Sequence, residues 1–361
     1  MKAFVTIDHT IFLKKLECLS FGATTITWFR SYLEERYFIV NVDNCFSEKA
    51  RLVCGVPQGS ILGPLIFLIY ANDMAQAVAC DLYLYADDSC LLYIGKDIKV
   101  IEKNLNENFN SLCNWFVENK LSIHFGEDKT KSILFGTKRR LKEDDKIEIN
   151  RGEIKIKQHF EVKYLGCLFD SNLSGRGMAI KVLNKINSRL RFLYRKKDIL
   201  NKPLRRILCN ALIQPHFDYA SQTWLPNLTK ALSNKIQCAQ NKCIRFCLQL
   251  DSRAHIDKEE FKEINWLPTG ERMRQRICVM CYNFFNETSP SYMSDMFIHN
   301  KVIKRTRYSQ HSLKIPFRKT NLGQKTLSYS GPFLWNDLPI DLKLAKCRNE
   351  FKHKMKSSYF E

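Results

Sequence analysis

Asp87 and Asp88 are adjacent carboxylates inside an apolar run, Asp81-Leu82-Tyr83-Leu84-Tyr85-Ala86-Asp87-Asp88-Ser89-Cys90-Leu91-Leu92-Tyr93. Leu and Tyr on either side of a short polar centre predict a buried β-hairpin with both acids at its turn. Paired like charges beside apolar strands are costly unless a cation neutralises them. Magnesium suits that role, because it accepts carboxylate oxygens and substrate phosphates together. Two such ions about 3.5–4 Å apart would clamp the attacking and leaving oxygens of an in-line phosphoryl transfer. A solvated turn explains an isolated Asp-Asp pair more simply, since Asp is common in turns. The segment upstream shifts the balance. Gly55-Val56-Pro57-Gln58-Gly59-Ser60-Ile61-Leu62-Gly63-Pro64 precedes the apolar residues 65–70. Its glycines admit close backbone approach to a ligand, and a helix starting near Ser60 would aim its N-terminus toward phosphate.

The elements that must position these residues follow from periodicity. Residues 1–34 predict a strand remnant and then a helix, with Leu13, Leu16 and Leu19 three apart. Residues 37–42 and 49–54 alternate as paired strands, and 60–74 are helical. Residues 98–119 form a second helix through Ile101, Leu105, Phe109, Leu112 and Phe116. Residues 123–135 hold a strand near Lys129, 137–150 a charged loop, and 154–169 a closing hairpin. Helices on one face of an antiparallel sheet make an α+β layer. From about Ser174 the pattern becomes helical. Lys181, Lys185 and Arg189 recur every four residues, and Leu183, Ile186, Leu190 and Leu193 at three and four. That places cationic and apolar stripes on different faces of one helix. An ordinary surface helix explains the apolar stripe. The purely cationic one, extended by Arg191, Arg195, Lys196 and Lys197, suits a helix that follows a nucleic-acid backbone. Pro203 begins a further helix through Leu212, and His216, Asp218, Tyr219 and Trp224 are structural, because no nucleophile or metal set joins them. Beyond Ser289 the chain is basic and irregular, with Lys304, Arg305 and Arg307, a peripheral RNA-binding extension or a weakly ordered tail.

The 361 residues suggest two or three domains, and 45% hydrophobic with 12% aromatic residues describe a folded chain. The net charge of +20 is uneven. Residues 1–180 carry 23 basic and 23 acidic side chains, and residues 181–361 carry 34 and 14. A neutral first half and a basic second half suit a catalytic region joined to one that grips nucleic acid. A solvated basic surface or anionic lipid are the alternatives. No membrane span or secretory signal is apparent, so the expected location is intracellular, nuclear or cytoplasmic. The 14 cysteines are scattered, many in apolar runs such as those of Cys54, Cys90, Cys167 and Cys209. They predict buried free thiols in a reducing compartment. Cys278 and Cys281 have zinc-type spacing, with Cys238, Cys243 and Cys247 upstream, but both groups fall in helical segments. Packing is the preferred reading and zinc the lesser one.

In motif order, the chain resembles the reverse transcriptase of non-LTR (LINE-type, jockey-like) retrotransposons. The likeness runs from Lys2-Ala3-Phe4 and Asp8-His9 through Trp28-Phe29-Arg30-Ser31-Tyr32-Leu33 with Arg36, residues 55–67 and Tyr85-Ala86-Asp87-Asp88. It continues at Asn119-Lys120-Leu121-Ser122 with Lys129-Thr130-Lys131, at Val162-Lys163-Tyr164-Leu165-Gly166, and at Gly331-Pro332-Phe333-Leu334-Trp335-Asn336-Asp337-Leu338-Pro339. The resemblance implies a polymerase right-hand palm, an antiparallel sheet with helices on one face, followed by a helical thumb. It implies a partial palm at 1–172, a thumb-like region at 173–288 and a basic C-terminal extension at 289–361. It also implies metal ligation by Asp87 and Asp88, with Mg2+, or Mn2+, as cofactor. Gln58 and Gly59, with Tyr85 and Ala86, would position nucleotide and template, and Lys129 would neutralise or protonate the leaving pyrophosphate. Tyr164, Leu165 and Gly166 would hold the primer end, and Lys181, Lys185 and Arg189 the nucleic-acid backbone. The implied partners are an RNA template, a DNA primer and deoxynucleoside triphosphates, with no membrane. The family's first-motif Asp would fall before Met1, and Val5 stands where a further Asp is usual. The expectation is therefore an N-terminally truncated polymerase, its fingers largely missing and its activity impaired. The alternative is an inactive remnant that binds nucleic acid through its basic half.

Overall fold

The computed structural model describes residues 3–361 apart from 58, 127–128, 138, 143–144 and 301–310. The chain divides into two compact units, Met1–Phe160 and Glu161–Glu361.

In the first unit, helix α1 (His9–Cys18) begins at an Asp8 cap whose carboxylate accepts from the Ile11 amide at 3.0 Å. The single helix expected over this stretch is broken. Ser20 adopts φ 61, and the chain restarts at Gly22 as α2 (Ala23–Leu33). Helix α3 (Leu62–Ala71) is apolar nearly throughout, and α4 (Ile98–Glu118) is amphipathic. Phe12, Leu16, Phe29, Ile66, Tyr70, Leu112 and Phe116 make one core, as the spacing along α1 and α4 predicts. Lys15 lies among them, donating at 2.6 Å to both the Tyr70 carbonyl and Asp73.

Strands pair two by two. β1 (Tyr37–Phe38) pairs with β4 (Ala50–Arg51), β2 (Asn41–Val42) with β3 (Cys45–Phe46), β5 (Asp81–Tyr85) with β6 (Asp88–Leu92), and β7 (Ile149–Arg151) with β8 (Ile154–Ile156). The mixed helix-and-strand content agrees with the expected α+β class. The continuous antiparallel sheet does not form among the described residues. The strands from β1 to β4 are two residues each and exposed on both faces, so no apolar face recruits a neighbour. Among the described residues, 123–135 form no strand but only an isolated bridge of Ser132 to Gln158; Lys129 sits in an exposed turn, its amide donating to the Gly126 carbonyl at 2.9 Å. In place of one hairpin over 154–169 there are two, because Gly152 (φ 58) turns β7 into β8 first.

The second unit opens with β9 (Glu161–Tyr164) paired to β10 (Cys167–Asp170). Helices α5 (Arg176–Tyr194), α6 (Lys202–Leu212), α7 (Gln214–Asp218), α8 (Ser221–Trp224), α9 (Lys230–Leu248) and α10 (Lys258–Glu263) follow. One core joins Val182, Ile186 and Leu190 of α5 to Cys209, Phe246, Cys247 and Trp266. The buried Arg205 is satisfied by three carbonyls, those of Leu200, Phe246 and Lys197, at 2.9, 3.0 and 2.6 Å.

Beyond Ser289 the chain is not the irregular tail expected. Helix α11 (Thr269–Phe285) packs with α13 (Leu327–Asn336) and α15 (Arg348–Phe360), while α12 (Asn321–Gln324) packs with α13 and α14 (Ile340–Lys343) with α15. Trp335 is fully buried, stacks on Phe285 at 4.9 Å and donates its indole N–H to the His311 carbonyl at 2.9 Å. Asn336 exchanges two 2.8 Å bonds with the Leu313 backbone. A Cβ at Gly331 would lie 2.6 Å from the Phe297 ring, so the Gly-Pro-Phe-Leu-Trp-Asn motif is packing chemistry. Lys304, Arg305 and Arg307 lie outside the described residues.

Candidate functional site

The β5–β6 hairpin pairs Tyr85 with Asp88 across a two-residue turn, Ala86 and Asp87. Ala86 is in the left-handed region at φ 51, which costs a residue with a Cβ about 1–2 kcal/mol. Alternation puts Leu82, Leu84, Ser89 and Leu91 on one face and Tyr83, Tyr85, Asp88 and Cys90 on the other. Leu82 and Leu91 pack on the core at the hairpin's base. Its tip is uncovered, with Tyr85 66% exposed and both carboxylates exposed. The expected burial of the acid pair is thus corrected: nothing but the base of the ribbon meets a second layer. Desolvation does not demand a cation here, and donor chemistry must carry the case for one. Neither carboxylate has a Lys or Arg ion-pair partner among the described residues. Two free hard-oxygen donors on consecutive residues fit a Mg2+ or Mn2+ ion that takes its other ligands from water and phosphate. No further His, Cys, Asp or Glu converges on them to make a closed cage among the described residues.

The glycine-rich segment is laced to the chain's first residues. The Gly55 amide donates to the Ile7 carbonyl and the Val56 amide to that of Phe4, both at 2.7 Å. His9 donates Nε2–H to the Gly55 carbonyl at 2.7 Å. Gly55 has φ 81, and a Cβ there would stand 2.7 Å from the Val5 carbonyl oxygen, so only glycine fits. Gln58 lies outside the described residues. Gly59, at φ 83, is exposed and faces open space. Ser60, one residue before the Ile61 cap of α3, accepts the Gly63 amide at 3.0 Å. No hydrogen bond or ion pair among the described residues joins Lys129 to the hairpin. Asp8 is engaged by the α1 cap and by Lys120 at 2.7 Å. Burial raises its pKa, but Lys120 and the amides outweigh that and hold it below the ordinary value.

In the second unit Leu165 (φ 45) and Gly166 (φ 83) form the β9–β10 turn, next to the Tyr164–Cys167 pair. Lys181 donates to the Gly166 carbonyl at 2.7 Å, and the Tyr219 hydroxyl donates to the Leu165 carbonyl. Tyr219 was legible only as a structural aromatic, because nothing in its sequence context shows which carbonyl it meets. Burial, then Lys163 and Lys185, push the Lys181 ammonium down. Arg189 donates to the Leu212 carbonyl. The stripe read as one free cationic face is therefore divided: two of its members hold backbone, while Lys185, Arg191, Arg195, Lys196 and Lys197 are exposed.

Residues 1–169 match the family described as reverse transcriptase (RNA-dependent DNA polymerase). This first part of the chain is similar to reverse transcriptases. The chain is 29% identical over 256 residues to a probable RNA-directed DNA polymerase from transposon BS of Drosophila melanogaster, covering 68% of this chain and 28% of that protein. It is 26% identical over 227 residues to the RNA-directed DNA polymerase from mobile element jockey of the same species, covering 60% and 24%. The chain thus spans about a quarter of the length of these relatives. The likeness to non-LTR elements agrees with the motif order. Beyond the matched residues, the thiols of Cys278 and Cys281 are buried in α11, and burial pushes the former up to about 12 and the latter well above its ordinary value. They are packing groups of the Trp335 core. No helix among the described residues is long and apolar enough to cross a membrane.

Proposed function

We propose that this chain carries the metal-binding hairpin of an RNA-directed DNA polymerase, copying RNA into DNA by two-metal nucleotidyl transfer. The observation that carries the proposal is the exposed turn that presents Asp87 and Asp88 side by side, unpaired, inside the family-matched residues. Mg2+ or Mn2+ held there would supply charge stabilisation to the attacking and leaving oxygens. Asp87 and Asp88 would hold the ion, Tyr85 and Ala86 would set the height of the turn, and Gly59 with Gln58 would offer backbone to template or nucleotide. Lys129, in its exposed turn, would move toward the leaving pyrophosphate. The Leu165-Gly166 turn, held by Lys181 and Tyr219, would receive the primer end beside Tyr164, in a palm-and-thumb arrangement.

A second reading is favoured by Asp8. Its carboxylate is occupied by the cap and by Lys120, and Val5 cannot ligate. The polypeptide of residues 1–361 tested alone would then bind template–primer and extend it poorly. Mg2+-dependent primer extension on an RNA template decides between them. Asp87→Asn is expected to lower extension by at least about a thousandfold, roughly 4 kcal/mol of barrier. Extension that survives Asp87→Asn and Asp88→Asn would overturn the hairpin assignment. Extension absent from residues 1–361 but restored in a longer chain carrying more upstream sequence would support the second reading for the shorter one.

A further inference from the structure

An open cleft of about 610 Å³ lies in the second unit between α10, α11 and α15, and none of the motif residues lines it. Lys262, Lys352, His353 and Lys356 do, with Asn265, Ser357 and Phe360 between them. Arg348, Lys352 and Lys356 stand four residues apart on α15, so they stack along one face of that helix. Like charges at that spacing repel and weaken a helix unless something answers them. Among the described residues no ion pair involves Lys262, Lys352 or Lys356. Lys356 donates to the Asn265 carbonyl, a neutral acceptor that leaves its charge uncompensated. Asp218 is taken by Arg272 and lies 3.9 Å from Arg276. Glu361 at the end of α15 also lines the cleft, without an ion pair to Lys352 or Lys356 among the described residues, and Glu259, Glu260 and Glu263 line a smaller recess with Lys262. Burial, then Arg272 and Arg206, push the Lys356 ammonium down to about 8. Burial, then Arg348, Arg276 and Arg272, lower Lys352 also.

We propose that this cleft seats one nucleotide of single-stranded RNA, its phosphate between Lys352 and Lys356 and its base against Phe360. An anion there would relieve the cation ladder, an aromatic floor suits a base face, and the Asn265 amide and Ser357 hydroxyl offer hydrogen bonds to its edge. The cleft is large enough for a nucleotide and too open to enclose a small metabolite. The proposal is independent of the polymerase reading, since it needs no divalent metal.

The test is run on the full chain in chelator, where metal-dependent extension is silent. The lowered Lys356 reacts with an amine-directed acylating reagent at mildly alkaline pH, and peptide mass spectrometry reads the extent of acylation. A short oligouridylate is expected to protect Lys352 and Lys356, whereas polyglutamate of equal charge is not. By fluorescence anisotropy, Lys352→Gln with Lys356→Gln should reduce the salt slope of oligouridylate binding by about 0.7 for each phosphate that is no longer neutralised. Phe360→Leu should weaken binding about tenfold with the slope unchanged. Equal protection by polyglutamate would reveal a generic anion surface and overturn the nucleotide assignment. Absence of protection in the unmutated chain would remove the site altogether, whatever the folding of the variants.

Discussion

Asp8 is the residue at which a functional and a structural role compete, and its geometry favours the structural one. Its carboxylate caps α1 through Ile11 at 3.0 Å and meets Lys120 at 2.7 Å. Asn is as good a cap as Asp, so the two contributions separate. Asp8→Ala should cost about 1–2 kcal/mol in denaturant unfolding, and Asp8→Asn only the ion pair, about 0–1 kcal/mol. The folded-state pKa is depressed, so this stability is present above the ordinary value of 3.8 and is lost as pH falls through the lowered folded value. The difference between the parent chain and Asp8→Asn should vanish in that acid range. A difference that persisted there would mean the carboxylate acts by shape alone. At this scale the sequence was informative about identity and silent about partners. The Asp-Asp turn was legible from residue type; the glycines read as room for a ligand, whereas Gly55 makes room for the Val5 backbone. The Lys120 contact was not, because it joins positions 112 apart in the chain.

The β9–β10 turn shows the same limit one level up. Leu165-Gly166 reads as a tight turn, but its rigidity comes from α5 and from Tyr219, which follows α7, each donating to one carbonyl of the turn. Lys181→Met keeps the aliphatic stem and loses the 2.7 Å bond; Tyr219→Phe loses only the hydroxyl. Each should cost about 1 kcal/mol of stability and speed amide exchange at Gly166 and Cys167, as expected for loss of one hydrogen bond. Unchanged exchange in both variants would show that the strand pairing holds the turn by itself. Helical elements were the legible ones: α4 and α5 bury the residues their period assigned, Phe109, Leu112 and Phe116 in one and Ile186, Leu190 and Leu193 in the other. Strand partnership was not legible. Alternation indicates that Tyr37 and Phe38 are extended, not which ribbon they join, and both turn out exposed. The C-terminal helices were missed because Trp335, Phe351 and Phe297 find one another only in three dimensions, across a basic and weakly periodic stretch.

For the molecule as a whole, charge and compactness divide at the same place. Residues 1–160 hold 21 basic and 21 acidic side chains, and residues 161–361 hold 36 and 16, so the second unit carries all of the +20. A polyanion is bound by phosphates neutralised and counterions released, so under the proposed function affinity for a template–primer duplex is expected to rest on the second unit. The structure selects which cations to test. Lys181 and Arg189 are held by backbone carbonyls, whereas Lys185, Arg191 and Arg195 are exposed on or beside α5. Reversing those three to Glu in the full chain should weaken duplex binding for every sequence alike and reduce the salt slope by about 0.9 for each phosphate left unneutralised. Lys181→Met, which removes a half-buried anchor and not a surface cation, should leave that slope nearly unchanged. If the two variants altered the slope equally, the exposed cations would be an ordinary solvated face, and binding would have to be sought elsewhere among the basic residues of the second unit.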